Sequence, residues 1–192
     1  MLNLHPRLLV GARKDAQARE LLAPLLPTSP TVRTGIWLAI ATEQAPDVAT
    51  GRSWLEQLAA QTPADAALER VAVAMGYASL ARSFPAAGKE LVATSIAKLT
   101  ELTKDPQAAS AAAWEALGMT LHGSGQPDEA IPAYRKAIEL DGNRSIALNN
   151  LASILVERPG NSNLEEALKL AQRAVDADPK NPSNLDTLAT AL

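Results

Sequence analysis

The second half of the chain repeats one spacing of small and large apolar residues. It first runs Trp114-x2-Leu117-Gly118-x2-Leu121-x8-Ala130-x3-Tyr134-x2-Ala137. It returns as Leu148-x2-Leu151-Ala152-x2-Leu155, followed by Ala167-x3-Ala171-x2-Ala174-x4-Pro179. It starts a third time as Leu185-x2-Leu188-Ala189-x2-Leu192. The first offset is 34 residues and the second is 37, the three extra residues falling in the 159–163 loop. A period of that length marks a supersecondary unit that cannot bury its apolar face alone and must stack on its neighbours.

Each unit reads locally as two helices. Within Ala111–His122 apolar residues recur every three or four positions, which is one helical face. Gly123-Ser124-Gly125-Gln126-Pro127-Asp128 is a cluster of helix breakers, and Pro127 or Asp128 opens a second helix running to about Leu140. Asp141-Gly142-Asn143-Arg144 ends it, with Gly142 or Asn143 able to take a left-handed cap. Gly118, Ala130, Ala152 and Ala167 fall where two antiparallel helices should cross. Small side chains there let the axes approach within roughly 8–10 Å.

Composition agrees and excludes other classes. The chain has 38 Ala and 28 Leu and is 47% hydrophobic, which favours helices and rules out disorder. Aromatic residues make up only 3%, too few for a typical β-sandwich. A net charge of −3 gives no electrostatic footprint for nucleic acid or an anionic membrane. Without cysteine there is no disulfide, thiolate zinc site or thiol nucleophile, and the compartment stays open. The longest apolar runs, Gly35–Ala41 and Val71–Met75, fall far short of the roughly 20 residues that span a bilayer, so no membrane insertion is expected.

The spacing of Trp114, Leu117, Gly118, Ala130, Tyr134 and Ala137 resembles the tetratricopeptide repeat (TPR), whose signature is W-x2-L-G-x2-Y, then A-x3-F, then A and P. Leu121 replaces the usual Tyr and Gly142 stands where Pro is usual. The next copy keeps Pro179 but has Leu148 for Trp and Ala171 for the second-helix aromatic. The clear resemblance covers about 109–192. It implies an all-α fold, a right-handed α-solenoid of antiparallel helical hairpins. It also implies a concave groove, lined by the first helix of each repeat, that holds an extended peptide or a partner helix.

The first half carries a weaker form of the same pattern. Breaks fall near Pro30, Pro63 and Pro106, with helical stretches at 14–26, 31–44, 47–61, 64–83 and 87–104. Leu55 and Leu58 repeat the second-helix spacing, and Trp37, Ile40 and Ala41 the first-helix spacing. The expected organisation is degenerate TPR-like hairpins over 1–106, then two repeats and the first helix of a third over 107–192, in one continuous solenoid. A separate helical bundle joined near Thr103–Ala109 is the alternative.

Catalytic grammar is missing. No HExxH, Walker A, Rossmann glycine pattern or GxSxG occurs, and His5 and His122 lie far apart. Glu165, Glu166, Asp176 and Asp178 sit at the ends of one expected helix, where solvation and capping explain them. No catalytic residue, metal or cofactor is expected, and the reading is a non-catalytic protein–protein interaction scaffold.

The resemblance places Glu115, Met119 and His122 on the groove, then Asn149, Asn150 and Ser153 with Glu157 at the rim, then Asp186 and Thr187. Asparagine offers both donors and acceptors to a peptide unit, so Asn149 and Asn150 fit backbone contact as well as plain polar filling. The groove positions lack cations, which argues against gripping a terminal carboxylate, and Glu115, Glu157 and Asp186 favour a neutral or basic segment. Two other roles fit such an array: presenting substrate within a larger enzyme such as a glycosyltransferase, or assembling an envelope or secretion complex. Leu185, Leu188 and Leu192 form an apolar stripe without a covering helix. It is expected to meet a further helix of a longer array or, as a homo-oligomer, a second copy of the chain.

Overall fold

The computed structural model describes residues 34–35, 38, 40–106, 108–158 and 163–192. The expected helix at 14–26, the break at Pro30 and Trp37 lie outside them. The described residues are helical with no strand among them, and the chain divides into two compact units, 1–102 and 103–192.

In the first unit, helices run over Val48–Gln61 (α1), Ala67–Ser83 (α2) and Gly88–Lys104 (α3), the last reaching the boundary between the units. Asp47 caps α1 by accepting the Thr50 amide at 2.8 Å, and this bond holds its carboxyl below the ordinary carboxylate range. Pro63 falls between α1 and α2, as the sequence predicts. The helix expected over 31–44 ends differently: Ile40–Gln44 forms a π-helical turn. Ser83 donates to the Thr42 carbonyl there at 2.6 Å, giving that acceptor a partner in the turn.

Leu55, Tyr77, Leu80, Ala81 and Leu91 bury together with Ala41, and Trp54, Phe84 and Val92 pack around them. Two glycines let these helices close. A Cβ on Gly76 would lie 2.8 Å from Leu55 Cδ2, and one on Gly51 would lie 2.7 Å from Leu80 Cδ1. Ser95, fully buried on α3, donates to the Ala74 carbonyl of α2 at 2.8 Å, tying the two helices by a satisfied polar contact.

The second unit comprises Ala111–Gly123 (α4), Pro127–Leu140 (α5), Ser145–Glu157 (α6), Leu164–Ala177 (α7) and Pro182–Ala191 (α8). α4 pairs with α5 and α6 with α7, while α5 packs on α6 and α7 on α8. α4–α5 and α6–α7 are thus helical hairpins, and α8 follows them. Ser110 caps α4 through the Ala113 amide, Pro127 opens α5 at its first position, and Asn181 caps α8 through the Ser183 amide.

The small residues sit at the crossings. Ala130, Ala152 and Ala167 are fully buried. At Gly118 an added Cβ would stand 2.7 Å from the Tyr134 ring, so the bulk of Tyr134 is possible only because residue 118 has no side chain. At the equivalent positions of the repeat the second copy has Ala152 and Ala171, both fully buried. Gly142 does not use the left-handed conformation open to it. α5 ends on Asp141 in an extended conformation, and Gly125 in the α4–α5 turn, at φ 79°, is the only left-handed glycine among those described. Neither neighbour of Gly142 needs its freedom, because the Asp141 amide already returns to the Ala137 carbonyl.

Candidate functional site

The first helices of the second unit lie side by side, α4 against α6 and α6 against α8. The packing stripes Leu117–Leu121 and Leu148–Leu151–Leu155 turn inward and are buried. Residues between those positions face the other way. Met119, His122, Asn149, Asn150, Ser153 and Thr187 are half-buried, and Glu157 and Asp186 are exposed. Most of these side chains are polar, and the two exposed ones are acidic.

Glu115 behaves differently from the other eight. It is buried, with its carboxylate turned into the joint between the repeats. There it accepts from Arg144 Nε at 3.2 Å and from the Ala147 amide at 3.2 Å. Its negative charge is neutralised by a guanidinium, so the expected contribution of Glu115 to an acidic groove is corrected: Glu157 and Asp186 carry the open charge. The same bond holds the Arg144 guanidinium above its ordinary pKa. Arg144 precedes α6 and offers that helix no side-chain cap; the carboxylate from α4 serves the third amide of α6 instead. Sequence reading missed Arg144 because it sits in a stretch marked only as a breaker. The available signal was a buried-face acid 29 residues ahead of a cation at a helix start.

Asn150 is also partly committed to packing. Its amide donates to the Tyr134 hydroxyl at 3.1 Å, and the His122 ring meets Tyr134 edge-on with centroids 6.5 Å apart. Tyr134 is fully buried, and desolvation raises its pKa to about 12. His122, Tyr134 and Asn150 thus form one layer beneath the face. The carbonyl oxygen of Asn149 is buried and without a hydrogen-bond partner. Ser153 donates to Glu157 at 3.3 Å along the rim.

On the far side, Arg135 of α5 pairs with Glu166 of α7, Arg158 pairs with Asp128, and Arg173 donates to the Gly142 carbonyl at 3.0 Å. Leu185 and Leu192 at the α8 stripe are 49% and 88% exposed, with Leu188 half-buried, so the stripe presents open apolar surface. Among the described residues no group of three His, Asp or Glu side chains converges as a metal site would, and no helix is long and apolar enough to cross a membrane.

The comparisons with known proteins match this geometry. No curated protein matches the sequence. Among solved structures, a thermophilic TPR protein of Thermus thermophilus superposes with a TM-score of 0.66, covering 97% of this chain and 94% of its own. The two are 19% identical, so the likeness is one of fold, that of an all-α solenoid. The family model described as tetratricopeptide repeat matches residues 73–145 and 116–182, together more than half of the chain. The match begins within α2, well ahead of the stretch around 109 where the spacing becomes plain to the eye. Its periodicity and hairpins, its small residues at the helix crossings and this match agree: the chain belongs to the tetratricopeptide repeat family.

Proposed function

We propose that the chain is a non-catalytic scaffold that binds a neutral or basic peptide segment, or one face of a partner helix, along α4, α6 and α8. The observation that carries this reading is the division of labour on those helices. The apolar stripes of α4 and α6 at Leu117, Leu121, Leu148, Leu151 and Leu155 are consumed by packing, while Met119, His122, Asn149, Ser153, Asp186 and Thr187 stay at least partly open. Glu157 and Asp186 give that face its charge, which steers cationic segments and repels acidic ones. Asn149 and Asn150 are the amide side chains on this face, Asn150 already donating to the Tyr134 hydroxyl. Glu115 supports the site by fixing α6 against α4. Such a preformed surface binds with little rearrangement.

The test is a peptide array of varied net charge probed with the full chain, repeated with a Ser153→Arg, Asp186→Arg double variant. Retention by basic and neutral peptides, lost in the variant, supports the proposal. Binding that favours acidic peptides, or that ignores both substitutions, removes it.

A further inference from the structure

Two second helices end alike, with one difference. α5 closes on Asp141 and α7 on Asp178, at φ −147° and −145°. Gly142 follows the first and Pro179 the second. Asp141-Gly142 is the one Asp-Gly step in the sequence, and Asn-Gly does not occur.

The Asp141 turn is open to chemistry. Asp141, Gly142 and Asn143 are exposed. Asp141 Oδ1 accepts the Asn143 amide at 3.1 Å, which folds the carboxyl back over the intervening Gly142 nitrogen. The Gly142 amide donates to no group among the described residues. Without a Cβ beside that nitrogen, the approach to Asp141 Cγ is unhindered.

We propose that Asp141-Gly142 is a site of spontaneous isoaspartate formation, and that the change loosens the joint between repeats. The Gly142 nitrogen bonds to Asp141 Cγ, the Cγ–O bond breaks, and the hydroxyl leaves with the amide proton as water. The product is a cyclic succinimide, to which water then adds. Opening at Cγ restores aspartate. Opening at the original main-chain carbonyl gives isoaspartate, whose main chain runs through Cγ and whose side chain is the former main-chain carboxyl. Nothing is oxidised or reduced, and the water lost is returned. The turn ahead of Arg144 gains a methylene, and the Asp141 carbonyl that accepts the Arg144 amide at 3.3 Å leaves the main chain. That turn delivers the Arg144 guanidinium to Glu115, so its lengthening acts on the joint. Asp178 is spared, because Pro179 has no amide proton to give. No partner enters the reaction, so the site stands or falls apart from the α4–α6–α8 face.

The experiment ages the full chain for weeks at neutral pH and physiological temperature. Peptides are then read by electron-transfer fragmentation, which distinguishes the two isomers. Isoaspartate is expected at position 141 and none at 178. Gly142→Pro should abolish it by removing the N–H, and Asp141→Glu by demanding a larger ring. Gly142→Val, which places a branched side chain beside the attacking nitrogen, should slow it severalfold. Gly142→Pro installs the residue that follows Asp178, so circular dichroism should match the parent. The Ala147 amide should exchange faster in the aged parent than in aged Gly142→Pro. No isoaspartate at 141, or formation far slower in the folded chain than in urea, would overturn the site. An Ala147 amide that exchanges at the parent rate in isoaspartate-containing chains would overturn its effect on the joint.

Discussion

Glu115 and Arg144 meet across the joint between successive repeats, a buried carboxylate on α4 holding the guanidinium that precedes α6. Glu115→Ala would strand both Arg144 and the Ala147 amide, two donors that have no other described acceptor. A loss of about 2 kcal/mol in unfolding free energy is expected, because an orphaned buried donor carries its desolvation cost. Urea unfolding followed by circular dichroism measures it. An unchanged midpoint would show that Glu115 is a free groove residue after all.

The contrast comes from the outer surface. Arg135 and Glu166 pair at 2.8 Å with both side chains well exposed. Arg135→Ala should therefore cost no more than about 0.5 kcal/mol. If it costs as much as Glu115→Ala in the same titration, the burial argument fails.

Gly118 and Tyr134 offer a double-mutant cycle. Gly118→Ala gains helix propensity but drives a Cβ against a rigid ring, for a net loss of about 1 kcal/mol. In a Tyr134→Leu background the same change should become neutral or favourable, as the second copy, with Ala152 and Ala171 at the equivalent positions, implies. A coupling energy near zero would mean that ring and glycine do not constrain one another.

Burial of Tyr134 predicts an alkaline limit. Its pKa is raised from 10 to about 12 in the folded chain, so the unfolded chain loses that proton first. This contribution is complete below pH 10 and is lost as pH rises toward 12. Tyr77 is shifted the same way, so the two must be separated with single Phe variants. Absorbance at the phenolate band should show a late titration that disappears with Tyr134→Phe.

The charge on the α4–α6–α8 face makes the last prediction. Glu157→Gln with Asp186→Asn should weaken a basic peptide while sparing a neutral one. Raising the salt concentration should mimic the effect for the parent chain. Equal losses for both peptides would point to a folding defect rather than to electrostatics.

The hairpins of the second unit were legible because two helices crossing closely leave a fixed imprint. Gly118, Ala130, Ala152 and Ala167 mark the contacts, and Leu117, Leu121, Leu148, Leu151 and Leu155 mark the faces. The helix breaks at Pro63 and Pro106 were legible for a different reason, since proline cannot continue the ladder. Glu115 was read onto the groove because register tells which side a Cα occupies, not where a long side chain reaches. The partner that draws it inward, Arg144, belongs to another repeat. Gly142 decided nothing, because glycine permits a left-handed cap without requiring one. The π turn at Ile40–Gln44 is bonded by Ser83, about forty positions away, and no local pattern announces such a bond.

The borrowed cap on α6 has a kinetic corollary. An amide at the start of a helix normally exchanges with solvent by simple fraying, independent of anything distant. The Ala147 amide is instead guarded by a carboxylate from the preceding repeat. Its hydrogen-exchange rate is therefore a gauge of a neighbour's integrity. Loosening α4 would register at Ala147 before α6 itself unwinds, which makes one backbone position a built-in reporter of whether two repeats are engaged.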